Sequence, residues 1–313
     1  MLLERARALK GTTSIPCLRL HHGGELRDVR IAYTLTGEAD SPVVVALGGI
    51  SAGRDVSTWW RDFVGAGRAI DTREFSLLGI DFLGGSGATT GPHDALFPSI
   101  STYDQARVIA AVLNDLGVYQ VHAFVGSSYG GMVALAFGEL FPERAQRLVV
   151  ISAAHEPHPM ATALRSLQRR TIRLGIATGS TNEAISIARG IAMTTYRTST
   201  EFAQRFDRKS VVDYIEHCGE TYARNFSPYG FLCLSESIDL HAVEPQNITV
   251  RTTIVSIDSD TLVPRWQLQQ LAAGLPDSHL VEIDSLYGHD AFLKEVDAVS
   301  QIVREALQTG VTQ

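Results

Sequence analysis

The feature that most constrains the fold is a serine between two glycines, in the run Gly126-Ser127-Ser128-Tyr129-Gly130. An apolar run, residues 120–125, precedes it, and an apolar segment with helical spacing, residues 131–140, follows it. We therefore predict a strand, a tight turn and a helix, with Ser128 at the apex of the turn. A chain with 27 glycines can contain such a pentapeptide by chance, but the strand and helix around it argue against this. Ser127 lies one position early and would point away from the apex.

Short apolar runs that end at glycine or at an acidic residue alternate with segments of helical periodicity. This alternation predicts a doubly wound, mostly parallel sheet. The predicted strands are residues 43–46, 75–81, 120–125, 148–152, 252–257 and 279–283, and the predicted helices are residues 102–116, 131–140 and 291–307. Ser101 or Thr102 is expected to cap the first of these helices.

Two further patterns flank and interrupt this sheet. Residues 18–22 and 29–35 alternate in polarity around Gly23-Gly24, which predicts a β-hairpin. Residues 155–240 show helical patterns and no strand signal. We therefore expect an α/β core in two parts, residues 1–154 and 241–313, with a helical cap inserted at 155–240.

Composition excludes several classes of protein. The net charge of −7 and the absence of a basic stripe argue against a nucleic-acid binder. Cys17, Cys218 and Cys233 are far apart and odd in number, which fits a reducing compartment. The first 13 residues carry charges inside their apolar stretch, unlike a secretory leader, and no run reaches the ~20 apolar residues of a membrane span. We therefore expect a soluble cytoplasmic protein without a membrane partner.

A serine at such a turn needs a base and an acid, which follow later strands in the order serine, acid, histidine in the α/β-hydrolase fold. His289, in Tyr287-Gly288-His289, is the one histidine between a predicted strand and helix. Asp260 is preferred as the acid over Asp258, which is expected to cap the loop or to end the strand. The sequence thus predicts an α/β-hydrolase fold with the triad Ser128, His289 and Asp260.

Position along the chain indicates roles for several other polar groups. The N–H of Tyr129, first in its helix, is expected to bind an oxyanion, together with the N–H of Leu47 or Gly48. His241 is expected at the surface or in a loop. No histidine pair has the spacing of zinc ligands, so no metal is expected.

Three longer motifs carry a family resemblance. Residues 59–72 (WWRDFVGAGRAIDT), residues 82–92 (FLGGSGATTGP) and residues 288–293 (GHDAFL) resemble segments of the homoserine O-acyltransferases. The match continues through LGVYQVHAFVGSSYGGMVAL around Ser128, and it covers most of the chain. These motifs are far more specific than a serine between glycines.

The resemblance implies transfer of an acyl group from acyl-CoA, a co-substrate rather than a bound cofactor, to L-homoserine in methionine biosynthesis. The acyl group would pass through Ser128 in a ping-pong reaction. By the same resemblance, Asp290 would bind the ammonium group of the amino acid and Arg224 its carboxylate. The segment around Arg224 departs from the family pattern, and Arg61 is an alternative. A homodimer formed through the cap is also implied.

Several alternatives remain open at this stage. Acetyl-CoA is placed slightly ahead of succinyl-CoA as donor, and L-serine is a possible acceptor. A plain esterase or thioesterase would share every triad residue. A binding protein on a catalytically dead α/β-hydrolase fold would be expected to have lost a triad residue, and all three are present.

Overall fold

A central eight-stranded sheet organises the chain. The structure, a computed structural model, describes residues 8–38 and 40–308. The first seven residues, on which part of the expectation about a secretory leader rests, lie outside this range. The strands are β1 (Ala8–Arg19), β2 (Glu25–Thr36), β3 (Val43–Leu47), β4 (Ser76–Ile80), β5 (Ala123–Ser127), β6 (Arg147–Ile151), β7 (Arg251–Ile257) and β8 (Ser278–Ile283).

Helices alternate with the strands from β3 onwards, and five of them lie between β6 and β7. They are α1 (Val56–Trp59), α2 (Thr102–Asp115), α3 (Tyr129–Leu140), α4 (Pro159–Thr178), α5 (Thr181–Tyr196), α6 (Ser199–Arg205), α7 (Ser210–Asn225), α8 (Pro228–Asp239), α9 (Arg265–Gly274), α10 (Ala291–Lys294) and α11 (Val296–Gln308). Helix α9 had no counterpart in the sequence prediction.

The strand order is β1-β2-β4-β3-β5-β6-β7-β8. Strands β3 to β8 pair in parallel, whereas β2 pairs antiparallel with both β1 and β4. This is the mostly parallel α/β-hydrolase sheet that the sequence predicts, so the predicted fold class is confirmed.

The inner strands are buried on both faces because helices cover both sides of the sheet. Along β3, Val43, Val45 and Leu47 belong to a core cluster that includes residues of α2 and α3. The intervening Val44 and Ala46 belong to a second cluster that includes residues of α11. A strand whose alternate residues enter two apolar layers must be apolar throughout, and this explains the runs that identified β3 to β6 in the sequence.

Two elements have boundaries that differ from the sequence prediction. The hairpin turns at Gly23 and Gly24, which both have positive φ, but its arms are longer than predicted. The pattern did not reveal the full first arm because most of β1 is exposed and lacks clear alternation. The predicted closing helix is broken into α10 and α11 at Glu295. There the backbone leaves the helical conformation, and the carboxylate accepts a hydrogen bond from the hydroxyl of Ser285 at 2.7 Å.

Five helices, α4 to α8, lie inside the span 155–240 where the sequence predicts a helical insertion. The division of the chain into 1–154, 155–240 and 241–313 stays a prediction. His241, which follows these helices, is buried rather than exposed. Its ring bonds the hydroxyl of Thr102 at 2.8 Å and the carbonyl of Ala154 at 3.1 Å. His241 therefore fixes the end of the helical segment to the core, a tertiary role that its local sequence does not reveal.

Candidate active site

Ser128 lies at a strained turn between β5 and α3. Its φ of 53° and ψ of −122° are unusual for a residue with a side chain. The turn is tight because glycines flank it: a Cβ on Gly126 would lie 2.2 Å from the carbonyl oxygen of Gly130. The side chain of Ser127 is fully buried and has no hydrogen-bond partner in the described chain. The turn therefore presents Ser128 and hides its neighbour, as predicted.

The structure brings the three predicted triad residues together. His289 Nε2 lies 2.8 Å from Ser128 Oγ, and His289 Nδ1 lies 2.7 Å from Asp260 Oδ2. The other oxygen of Asp260 accepts hydrogen bonds from the N–H groups of Leu262 and Val263, at 2.9 and 3.1 Å. An aspartate fixed in this way orients the imidazole, which can then remove the proton of the serine hydroxyl.

Asp258 holds the loop that carries His289. Its carboxylate accepts a hydrogen bond from the N–H of Ser285 at 3.0 Å. The hydroxyl of Ser259 donates to the carbonyl of Ser285 at 2.5 Å and accepts from the N–H of Gly288 at 3.2 Å. The loop after β7 thus fixes the loop after β8, and Asp258 caps a loop as the sequence analysis expected.

The oxyanion donors were predicted at two segments that the structure places in contact. The carbonyl of Gly48 accepts a hydrogen bond from the N–H of Gly130 at 2.9 Å. Leu47 ends β3, and its carbonyl oxygen would lie 2.2 Å from a Cβ on Gly130. Tyr129 is the first residue of α3, so its N–H has no intrahelical acceptor. The end of β3 therefore lies beside the helix terminus that carries the Tyr129 N–H.

The pKa of His289 is raised above its ordinary value of 6.5. Burial alone would lower this pKa, because it disfavours the charged imidazolium. The charge and hydrogen bond of Asp260, together with the charge of Asp290, more than offset burial. His289 is thus a stronger base than a free imidazole.

A cavity of about 600 Å³ opens onto Ser128 and His289. Its walls come from the loops after β3 and β8 and from helices α4, α5 and α8, so the helical segment covers the reacting groups. Among the residues that line it are Arg61, Ser128, Arg165, Arg189, Tyr196, Arg197, His289 and Asp290. A cavity of this size can hold a small substrate and largely separate it from water.

Of the two residues predicted to contact the substrate, one lines the cavity and the other does not. Asp290 lines the cavity beside His289. Arg224 does not line it: its side chain is 63% exposed and lies 3.8 Å from Glu220 on the surface of α7. Arg224 is therefore not placed to bind a substrate at Ser128, because it belongs to the solvent-facing side of its helix. Arg61, the alternative, lines the cavity but is exposed.

Sequence reasoning missed Arg189, a cavity residue on α5. Its guanidinium lies over the rings of Tyr222 and Tyr196, 4.9 and 5.5 Å from their centroids. Within residues 8–38 and 40–308, no carboxylate forms an ion pair with it. In the sequence, Arg189 is an arginine seven residues before a tyrosine on an amphipathic helix. This pattern is too common to identify a site.

The described residues contain no group of three or more His, Cys, Asp or Glu side chains arranged to hold a metal ion. None of the helices formed by these residues is long and apolar enough to cross a membrane.

Comparison with known proteins agrees with this geometry. A family model described as the α/β hydrolase fold matches residues 42–296. A homoserine O-succinyltransferase from Xanthomonas campestris pv. campestris is 40% identical over 311 residues, which cover 93% of this chain and 82% of that relative. The chain belongs to the homoserine O-acyltransferase family. A homoserine O-acetyltransferase from Chlorobaculum tepidum is 31% identical over 326 residues, which cover 92% of this chain and 91% of the relative.

Solved structures share the fold of this acyltransferase at lower identity. The homoserine O-acetyltransferase of Staphylococcus aureus matches with a TM-score of 0.88 and 21% identity, covering 98% of this chain and 97% of that one. Esterase E22 matches with a TM-score of 0.87 and 19% identity, covering 96% and 100%. Because an esterase has the same fold, the fold alone does not separate transfer from hydrolysis.

We predict that acylation of the acyltransferase at Ser128 falls as the pH drops through a pKa above 6.5, because only neutral His289 can accept the proton. Removing a charge that raises this pKa, by Asp290→Asn, should move the acid limb to lower pH. The measurement is the rate of acylation by p-nitrophenyl acetate over a pH series. Asp297→Asn, an exposed carboxylate on α11, should leave the limb in place. An upward shift in Asp290→Asn would contradict the assignment.

Proposed function

We propose that the protein transfers an acyl group from acyl-CoA to the hydroxyl of L-homoserine through an acyl-Ser128 intermediate. One observation carries the proposal: the cavity over Ser128 and His289 is lined by the buried carboxylate of Asp290 and by Arg189, which pairs with no acidic side chain in the part of the chain that the structure describes. An amino-acid acceptor carries an ammonium and a carboxylate, and these two side chains supply the opposite charges. An ordinary esterase has no use for this pair.

The chemistry follows from the geometry. Neutral His289 removes the Ser128 proton, and the hydroxyl oxygen attacks the thioester carbonyl. The N–H of Tyr129, with one from Leu47 or Gly48, stabilises the negative charge on the oxygen of the tetrahedral intermediate. The CoA thiol leaves with the proton. The homoserine hydroxyl then gives its proton to His289 and attacks the acyl-enzyme, which releases the ester and restores the Ser128 hydroxyl.

We further propose that the donor is succinyl-CoA rather than acetyl-CoA. The relative with 40% identity is named a homoserine O-succinyltransferase, and a succinyl group ends in a free carboxylate that needs a cation. Arg165 lines the cavity, and its charge acts on His289 to lower the pKa of that residue. Arg165 and Arg169 both pair with Asp239, at 2.6 Å each. Two guanidinium groups share one carboxylate, so a net positive charge remains for the donor.

The direct test of the reaction is release of CoA, followed with a thiol reagent. Succinyl-CoA and acetyl-CoA are each offered with homoserine, with serine and with no acceptor. We expect sustained release with succinyl-CoA and homoserine only, and a loss of roughly 10⁴-fold or more in Ser128→Ala, the control for the nucleophile. Equal release without an acceptor would make water the acceptor and replace the proposal with a thioesterase. Preferred release with serine would change the acceptor.

Arg189→Gln should lower kcat/KM for homoserine by about 10- to 100-fold, the effect of losing one hydrogen bond to a charged group. Acylation of Ser128 by the donor should change little, because the amino acid is absent from that step. The matched control is Arg224→Gln, an arginine of the same helical segment that is exposed outside the cavity. If Arg224→Gln lowers kcat/KM for homoserine and Arg189→Gln does not, the carboxylate contact is misassigned.

Arg165→Gln should lower kcat/KM for succinyl-CoA by about 10- to 100-fold and change that for acetyl-CoA little. The fold should survive, because Arg169 still neutralises Asp239. Arg170→Gln, on the exposed side of the same helix, serves as the control. Steady-state rates with both donors give the ratio of kcat/KM for succinyl-CoA to that for acetyl-CoA. If Arg165→Gln leaves this ratio unchanged, Arg165 does not bind the succinyl carboxylate.

A further inference from the structure

The segment between α5 and α6 contacts the loop that carries His289. Arg197 Nε donates a hydrogen bond to Asp290 Oδ2 at 2.5 Å, and the hydroxyl of Thr198 donates to the carbonyl of Leu286 at 2.6 Å. These contacts join residues about 90 positions apart in the chain, on either side of the catalytic histidine. The helical segment is therefore attached to the catalytic loop itself.

The fit around Gly288 shows how closely the two segments approach. Gly288 has a φ of 57°, and a Cβ there would lie 2.9 Å from the carbonyl oxygen of Tyr196. The ring of Tyr196 lies beside the ring of His289, with centroids 5.9 Å apart. A shift of this segment would therefore move groups in contact with the catalytic loop.

Arg197 is buried with two acidic partners. Its side chain is 7% exposed, against 13% for Asp290 and 6% for Glu201, and its Nη1 lies 3.0 Å from Glu201 Oε1. Buried charges of this kind are stable only when they are paired. Glu201 holds the guanidinium from one side, so the direction in which Nε meets Asp290 is fixed.

The two oxygens of Asp290 have different surroundings. Oδ2 is taken by Arg197. In the part of the chain that the structure describes, no group donates a hydrogen bond to Oδ1, although Asp290 lines the cavity over Ser128. A carboxylate held by one oxygen cannot turn freely, and its other oxygen remains available to a ligand.

We propose that Arg197 is a positioning residue for the acceptor: it holds the Asp290 carboxylate so that Oδ1 meets the ammonium group of the amino acid. This role rests on the proposed function, since it requires an amino-acid acceptor. It acts on the second half of the reaction, in which the alcohol attacks the acyl-enzyme. The first half, in which CoA leaves, contains no ammonium group.

The test measures the two halves of the reaction separately in the variant Arg197→Gln. The first-turnover burst of CoA should stay within about twofold of the wild-type value, whereas kcat/KM for homoserine should fall by about 10- to 100-fold. With 4-hydroxybutyrate, which is homoserine without its amino group, the variant and the wild type should transfer at equal rates. In an Asp290→Asn background, Arg197→Gln should add little, because both changes remove the same interaction.

Arg205→Gln is the matched control. Arg205 also pairs with Glu201, at 3.4 Å, but its side chain is 44% exposed and does not contact Asp290. It should keep the wild-type kinetics in both halves. Arg197→Lys retains the buried charge and tests the geometry alone if the glutamine variant does not fold. It should lower kcat/KM for homoserine several-fold and leave the burst unchanged.

The outcomes are distinct. If Arg197→Lys or Arg197→Gln lowers the burst and the homoserine step equally, or lowers transfer to 4-hydroxybutyrate as much as to homoserine, Arg197 has only a structural role and the inference is wrong. If the wild-type protein forms the acyl-enzyme but transfers it to no amino acid, the proposed function itself fails, and the role of Arg197 fails with it.

Discussion

The hydrogen bond between Ser128 Oγ and His289 Nε2 connects the loop after β5 with the loop after β8, which helices α4 to α8 separate in sequence. It forms because the parallel strands β5, β7 and β8 end at the same edge of the sheet. Ser128 follows β5, Asp260 follows β7 and His289 follows β8. The rest of the structure maintains this distance: the sheet sets the positions of the three loops, and Asp258 and Ser259 fix the histidine loop in place.

Around these three residues, the helical segment supplies three arginines of the cavity wall. Asp290 follows β8, whereas Arg165 lies on α4, Arg189 lies within α5 and Arg197 directly follows α5. Each arginine has a different set of partners. Arg165 shares Asp239 with Arg169, Arg197 is paired with two carboxylates, and Arg189 lies over aromatic rings. These differences in pairing, rather than the number of arginines, indicate which of them can bind a substrate anion.

The core and the triad could be predicted from sequence because local rules determine them. A strand buried on both faces must be apolar, and the turn at Ser128 requires glycines on either side, so both leave a pattern in the chain. Asp260 and His289 were found from their positions after late strands. An arginine that faces the cavity could not be found in this way. Arg224 and Arg189 both lie on helices, and only the packing of those helices decides which one faces the cavity.

The same limit applies wherever a distant contact decides the outcome. His241 was expected at the surface or in a loop; it lies in a loop but is buried, and its ring bonds Thr102 and Ala154. At the break between α10 and α11, Glu295 accepts a hydrogen bond from Ser285, a contact that no helical periodicity reveals. The contact of Arg197 with Asp290 has a thermodynamic consequence of this long-range kind. The carboxylate that would hold the acceptor is also one of the groups that hold the helical segment against the catalytic loop. A change in how this segment packs against the catalytic loop would then also change the affinity for the amino acid, because both contacts use the same carboxylate.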